Sequence, residues 1–229
     1  MRNILITGTS RGIGLGLARA FLDEGARVHA VARGEKGADG LRALQARHGA
    51  RLRLLFDDLA EPATDERVLA ALGDEALDFS VFNAGIQGPA HQDPARAEGT
   101  EIATLFMTNA IAPLRLAQRI APRVKPGGVV AFLSSQMGSV SLARAGDMPL
   151  YGASKAALNS LLRSWSARCA PLPYSLLALH PGWVQTDMGG GAAPLSVEQS
   201  VEGLMRVLHA QTGRNRCEFF DYQGARMPW

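Results

Sequence analysis

Short runs of β-branched and aliphatic residues alternate along the chain with longer stretches in which apolar positions recur every three or four residues. The runs at 4–7, 28–32, 52–56, 79–83, 129–134 and 175–180 predict strands, and 217–220 could add a last one. The amphipathic stretches at 12–24, 41–48, 65–72, 102–121, 150–170 and 197–211 predict helices. A strand followed by a helix, repeated, requires a parallel sheet covered on both faces. The expected fold is therefore α/β: a single-domain, doubly wound parallel sheet of Rossmann type over residues 1–229, with about seven strands. No linker, repeat or low-complexity tract interrupts the series.

In such a sheet ligands bind beyond the carboxyl ends of the strands, where the connections diverge. Gly8, Asn83, Ser134, Ser135 and Pro181 lie at or just past predicted strand ends. The pattern therefore places them on one rim although they are spread over most of the chain.

Composition narrows the partners. Of 229 residues, 47% are apolar, enough for one sizeable core. The net charge of +3 comes from bases scattered among acids, without the stripe a nucleic-acid partner requires. Cys169 and Cys217 are distant and sit beside apolar positions, so no disulfide framework and a reducing cytoplasm are expected. The five histidines and two cysteines show no close ligand spacing, so no metal is expected. The apolar run at the N-terminus is too short for a signal peptide and no run is long enough to span a bilayer, so the expectation is a soluble protein without a membrane partner.

The first strand runs into Thr7-Gly8-Thr9-Ser10-Arg11-Gly12-Ile13-Gly14 and then a helix. Glycines permit the tight turn and the approach of a diphosphate, and the helix N-terminus supplies unpaired N–H donors. Gly8, Ser10, Arg11, Gly12, Ile13 and Gly14 are thus candidate cofactor contacts. The spacing, Gly-x-x-x-Gly-x-Gly, differs from the generic Gly-x-Gly-x-x-Gly, and alone it also fits a turn without a ligand. The second predicted strand ends Val31-Ala32-Arg33, with no carboxylate to accept from a ribose diol. Arg33 with Arg11 could clamp a 2′-phosphate, which predicts a preference for NADP(H), with NAD(H) as the alternative.

Tyr151 and Lys155 are spaced i to i+4 at the start of a predicted helix, which stacks their side chains on one face. A phenol is a poor acid–base group at neutral pH, and a neighbouring ammonium is expected to lower its pKa. Alone the spacing is common. Here it accompanies the glycine turn, Asn83-Ala84-Gly85, Asn109, Ser134-Ser135 and Pro181-Gly182-Trp183-Val184-Gln185-Thr186.

Taken in order, these motifs resemble the short-chain dehydrogenase/reductase family over nearly the whole chain. Within it the chain is most similar to the C-factor and sniffer-like carbonyl reductases, through Gly14-Leu15-Gly16-Leu17, the segment 180–190 and the ending Phe219-Phe220-Asp221-Tyr222 to Pro228-Trp229. The resemblance implies an enzyme that moves hydride between a nicotinamide and a carbonyl or alcohol, with Tyr151 as proton donor or base. It implies that Ser135 orients the carbonyl oxygen, with Ser134 as its rival. Lys155 would also hold the nicotinamide ribose, and Asn109 would order a proton-relaying water or merely bend its helix. It further implies that Asp58 and Leu59 bracket adenine, with Asp57 as a rival. Asn83, Ala84 and Gly85 would pass beneath its ribose, and Pro181, Gly182, Val184 and Thr186 would hold the carboxamide end. The chain departs from the family's Asn-Asn-Ala-Gly at Phe82, expected to pack into the sheet. The two long helices, 102–121 and 150–170, resemble the pair through which family members dimerise, so a homo-oligomer is expected.

Segments 136–150 and 183–194 are candidates for the substrate cleft, the second as a lid, with Met137, Leu142, Met148, Trp183 and Met188 as an apolar wall. That predicts an aldehyde or ketone with an apolar body. A hydrolase is excluded because Gly152-Ala153-Ser154-Lys155-Ala156 lacks the last glycine of a nucleophile elbow. A non-enzymatic nucleotide sensor on the same fold is the remaining alternative.

Overall fold

The computed structural model describes residues 1–142 and 147–229. Seven strands form one sheet: β1 (Asn3–Thr7), β2 (Arg27–Ala32), β3 (Leu52–Phe56), β4 (Leu77–Phe82), β5 (Val124–Leu133), β6 (Ser175–His180) and β7 (Cys217–Asp221). Their order across the sheet is β3-β2-β1-β4-β5-β6-β7, every pair parallel. The helices are α1 (Gly12–Asp23), α2 (Asp39–His48), α3 (Ala63–Leu72), α4 (Gly99–Phe106), α5 (Ala112–Ile120), α6 (Pro149–Arg168) and α7 (Val197–Ala210).

Strand alternation divides the interior into two cores. Ile4 and Ile6 of β1 face Leu17, Phe21, Leu204 and Leu208 of α1 and α7, together with Leu41 of α2. Leu5 faces the other way, toward Val68 of α3, Leu116 of α5 and Leu158 and Leu162 of α6. Val129 and Ala131 of β5 join the first core, Val130 and Phe132 the second. Burial on both faces is why these strands read as unbroken apolar runs.

The order in which strands are added reverses at β1, which has β2 on one side and β4 on the other. Connections leaving β1 and β4 diverge there and open the crevice in which ligands of doubly wound sheets bind.

Most observed ends lie within two residues of the expected ones, and two elements differ more. β5 starts five residues before the expected 129, because Pro126, Gly127 and Gly128 interrupt the apolar pattern while the backbone is already paired at Val124 with Leu77. The expected helix 102–121 is discontinuous: α4 is followed by a π-helical segment, Met107–Ile111, then α5 and a 3-10 turn, Ala121–Arg123. Pro113 has no N–H for the carbonyl of Asn109, the bond a regular α-helix would make there, and a widened turn takes up the defect.

Beyond β7 the chain folds back over the end of the sheet. Met227 N–H donates to the Phe219 carbonyl at 2.8 Å. Ser139 Oγ donates to the Pro228 carbonyl at 2.6 Å, and Ser141 Oγ to the Trp229 carbonyl at 2.8 Å. The segment after β5 is thereby anchored to the last residues.

Candidate active site

The glycine turn occupies the crevice. Gly8 N–H donates to the Val31 carbonyl at 2.8 Å, and Asn83 Nδ2 donates to the Gly8 carbonyl at 2.8 Å, so β2 and β4 clasp the turn from both sides. A Cβ on Gly14 would come within 2.2 Å of the Gly8 carbonyl oxygen, and one on Gly8, at φ +71, within 2.7 Å of the Ala84 backbone. Only glycine permits this closeness. No side chain caps α1 at Arg11, so the turn presents a helix N-terminus to an anion. Ser10 is half-buried beside it, and Ile13 packs against the first core. These features fit a dinucleotide diphosphate.

Arg33 is exposed at the end of β2, at the position expected for a 2′-phosphate contact. Arg11 is also exposed, and its Nε lies 3.0 Å from Asp187 Oδ2, so it is shared with the segment after β6. Asp57 is bound by Arg67 and by Thr64 Oγ1, and the Arg67 hydrogen bond is the main reason its carboxyl lies below the ordinary range. Asp58 instead accepts from Ala60 N–H at 2.9 Å, with Leu59 buried beside it.

Ser135, Tyr151 and Lys155 meet where the end of β5 touches α6. Ser135 caps the 3-10 turn Gln136–Gly138, its Oγ accepting from Met137 N–H at 3.1 Å. That turn lies directly on the helix: a Cβ on Gly138 would fall 2.8 Å from the Lys155 backbone, and one on Gly152 3.0 Å from the Met137 carbonyl oxygen. Gly138 and Gly152, each packed against the opposing backbone, thus bring Ser135 to the Tyr151 hydroxyl, whose pKa the serine hydroxyl lowers. Ser134 points elsewhere, its Oγ donating to Asn159 Oδ1 at 2.8 Å inside the protein, while Asn159 Nδ2 donates to the Gly138 carbonyl. Ser134 holds the turn, and Ser135 faces the tyrosine.

The electrostatics differ from the expectation. Burial pushes the Tyr151 hydroxyl up to about 12, opposed by the Ser135 hydrogen bond. Burial also brings Lys155 down to about 8. Its Nζ lies 5.7 Å from the Tyr151 ring centroid, while its close contact is the Leu133 carbonyl at 2.8 Å. Burial therefore sets the direction of the Tyr151 shift, opposite to the one expected from the spacing.

Asn109 sits in the π-helical segment and uses both ends of its amide on Ile86, accepting from its N–H and donating to its carbonyl, each at 2.8 Å. Asn109 Nδ2 also donates to Ser154 Oγ at 3.0 Å. Gly85 lies between Asn109 and Lys155: a Cβ there would be 3.3 Å from Asn109 Oδ1 and 3.5 Å from Lys155 Nζ. Ala84 and Asn83 complete the backbone that runs from the glycine turn to this point.

After β6, Pro181 accepts from Ser200 Oγ, and Gly182 at φ +84 turns the chain toward Val184, which pairs with Leu195. Thr186 Oγ1 accepts from Gly189 N–H, and its methyl lies against Gly12. The Trp183 indole donates to the Gly189 carbonyl at 2.8 Å. Trp183 and Met188 are exposed, and Met137, Leu142 and Met148 are half-buried. Residues 143–146 of the expected cleft wall lie outside the described residues. Phe82 packs into the sheet and stacks on Phe132 with centroids 4.7 Å apart.

Asn159 and Gln92 were not singled out by sequence, and Ser154 was considered there only as the serine of a nucleophile elbow. Nothing local marks them, since each acts on a partner more than twenty residues away. Among the described residues no group of three or more His, Cys, Asp or Glu is placed to hold a metal ion, and no helix is long and apolar enough to cross a membrane.

A family model described as short chain dehydrogenase matches residues 2–194. The chain is 39% identical over 157 residues to the C-signal protein of Myxococcus xanthus, covering 67% of this chain and 93% of that one. It is similar to a carbonyl reductase from Pseudomonas aeruginosa PAO1 in complex with NADP, at 55% identity and a TM-score of 0.95 over the full length of both. The carbonyl reductase Sniffer of D. melanogaster superposes with a TM-score of 0.88 at 30% identity, covering both chains completely.

Proposed function

The chain belongs to the short chain dehydrogenase family and is an NAD(P)-dependent oxidoreductase, and on that premise we propose that it reduces an aldehyde or ketone with an apolar body, using NADPH. The observation that carries this reading is the Ser135–Tyr151–Lys155 constellation beside a glycine turn shaped for a diphosphate.

When bound, the dihydronicotinamide supplies the hydride. Tyr151, protonated throughout the neutral range because burial holds it near 12, donates the proton the carbonyl oxygen then needs. Ser135 donates a hydrogen bond to the same oxygen and stabilises the charge developing there. Lys155, anchored by the Leu133 carbonyl, holds the nicotinamide ribose, and Asn109 orders a water that returns a proton to the tyrosine.

Gly8, Ser10, Gly12, Ile13 and Gly14 take the diphosphate, and Arg33 with Arg11 the 2′-phosphate. The NADP complex of the Pseudomonas carbonyl reductase supports the phosphorylated cofactor. Asp58 and Leu59 bracket adenine; Asn83, Ala84 and Gly85 lie under its ribose; Pro181, Gly182, Val184 and Thr186 receive the carboxamide end. The whole of 1–229 serves as one dinucleotide-binding unit, and its free thiols Cys169 and Cys217 support a cytoplasmic setting. Met107 and Ile111, exposed beside α4 and α5, support self-association through that face.

The test is NADPH oxidation across a panel of aldehydes, ketones and quinones, with Tyr151→Phe as control. The reading requires turnover on at least one apolar carbonyl and its loss, with NADPH binding retained, in the variant. Cofactor binding without turnover on any substrate would favour a nucleotide sensor.

A further inference from the structure

Gln92 combines several features that a solvent-facing loop residue does not need. It is buried, at 6% exposure, in the irregular segment between β4 and α4, and its backbone is left-handed at φ +52, which non-glycine residues rarely adopt. All its side-chain polar atoms are engaged. Oε1 accepts from the Tyr151 N–H at 2.9 Å, and Nε2 donates to the Pro89 and Gln87 carbonyls at 2.7 and 3.0 Å.

The Tyr151 N–H belongs to the first turn of α6, where no residue four positions earlier lies within the helix to accept from it. The residue at the N-cap, Met148, makes no side-chain cap, and Pro149 follows it. Gln92 supplies the missing acceptor from 59 residues away. A primary amide can accept from this one N–H and donate to two carbonyls at once; glutamate lacks the donors, and methionine lacks the donors and has only a weakly accepting sulfur.

The other side of the same residue is held as well. Ser154 Oγ donates to the Tyr151 carbonyl at 2.7 Å and accepts from Asn109 Nδ2, and Asn109 grips Ile86 at the head of the segment carrying Gln92. Both backbone polar groups of Tyr151 are thus tied, by two routes, to segment 86–92.

We propose that Gln92 is a positioning residue for Tyr151, a long-range helix cap that fixes the phenol's place relative to Ser135. The inference rests on the proton-donor reading of Tyr151. It accounts for an amide whose three hydrogen bonds all serve one short loop and one backbone N–H, at a site where small displacements of a proton donor cost rate.

The test is Gln92→Met, which keeps the length of the side chain, removes its donors and leaves only a weakly accepting sulfur. In the wild-type protein, hydrogen exchange followed by NMR should show the Tyr151 amide protected despite its place in the first turn. In Gln92→Met that protection should fall while Leu158 and Leu162 keep theirs. The kcat for carbonyl reduction should fall about tenfold or more, with KM and NADPH affinity within about twofold.

An unprotected Tyr151 amide in the wild type, or unchanged protection in the variant, overturns the contact. A lowered melting temperature with unchanged kcat, or a fall confined to NADPH affinity or KM, overturns the positioning role. Should Gln92→Met not fold, the wild-type exchange measurement and Gln92→Ala, which removes the donors and the acceptor, decide by the same criteria. Absence of turnover in the wild type counts against carbonyl reduction and leaves the exchange experiment intact.

Discussion

Replacing Lys155 with methionine removes a cation that the fold buries at a cost. Its pKa is about 8 in the folded protein against 10.5 for an unhindered lysine, with burial as the cause. Between those values the unfolded chain binds more protons than the folded one, so raising the pH through this window favours folding. The wild-type protein should therefore gain stability relative to Lys155→Met as pH rises from 8 toward 10.5. The whole change, at about 1.4 kcal/mol per pH unit, is about 3 kcal/mol. Below pH 8 the difference should be flat, because both states then hold the proton. Tyr151 contributes the opposite sign above pH 10, where an unfolded phenol ionises before the folded one at about 12, so the comparison belongs between pH 7 and 10. Urea unfolding of both proteins without cofactor, at half-unit intervals, gives the difference directly. A difference that stays constant, or declines as pH rises, would show that water reaches Lys155 and that the burial argument is wrong.

Three further outcomes follow from the geometry. Ser135→Ala should lower kcat roughly 100-fold with little change in melting temperature, whereas Ser134→Ala, which unpairs Asn159 in the interior, should cost about 1–2 kcal/mol in urea unfolding and touch kcat less. Gly14→Ala places a methyl 2.2 Å from the Gly8 carbonyl oxygen, and fluorescence titration should show NADPH affinity weakened about tenfold or more. Arg33→Ala should weaken NADPH about tenfold and leave NADH within about twofold, since only the former carries the phosphate; equal weakening of both would remove Arg33 from cofactor choice.

The sheet and its two layers of helices were legible because burial on both faces leaves long apolar runs such as Val28 to Ala32 in β2 and Ser175 to His180 in β6. The glycine turn and the Tyr151–Lys155 spacing were legible because their chemistry is local: a tight turn and one helical face. Phe82 could be assigned to the sheet from its size alone, and it stacks on Phe132. The π-helical break at Asn109 was not visible, although Pro113 four residues later carried the cause. The direction of the Tyr151 shift was misjudged for a different reason. Spacing shows that an ammonium is near, but the balance between its charge and lost solvation depends on burial, which only the folded chain reveals. Gln92 and Asn159 escaped because the contacts that matter, to Tyr151 and to Ser134 and Gly138, lie on other elements, and a lone amide carries no pattern.

The contact between Gly138 and the backbone of Lys155 matters to anyone transplanting this chemistry. A design that copies serine, tyrosine and lysine onto another helix and loop but leaves alanine at the crossing would hold the two elements apart by the width of a methyl group, and the serine would no longer touch the phenol. The transferable unit is five positions, two of them without side chains. Its tolerance to drift is set by those two, because a larger residue at either must be answered by moving a whole helix.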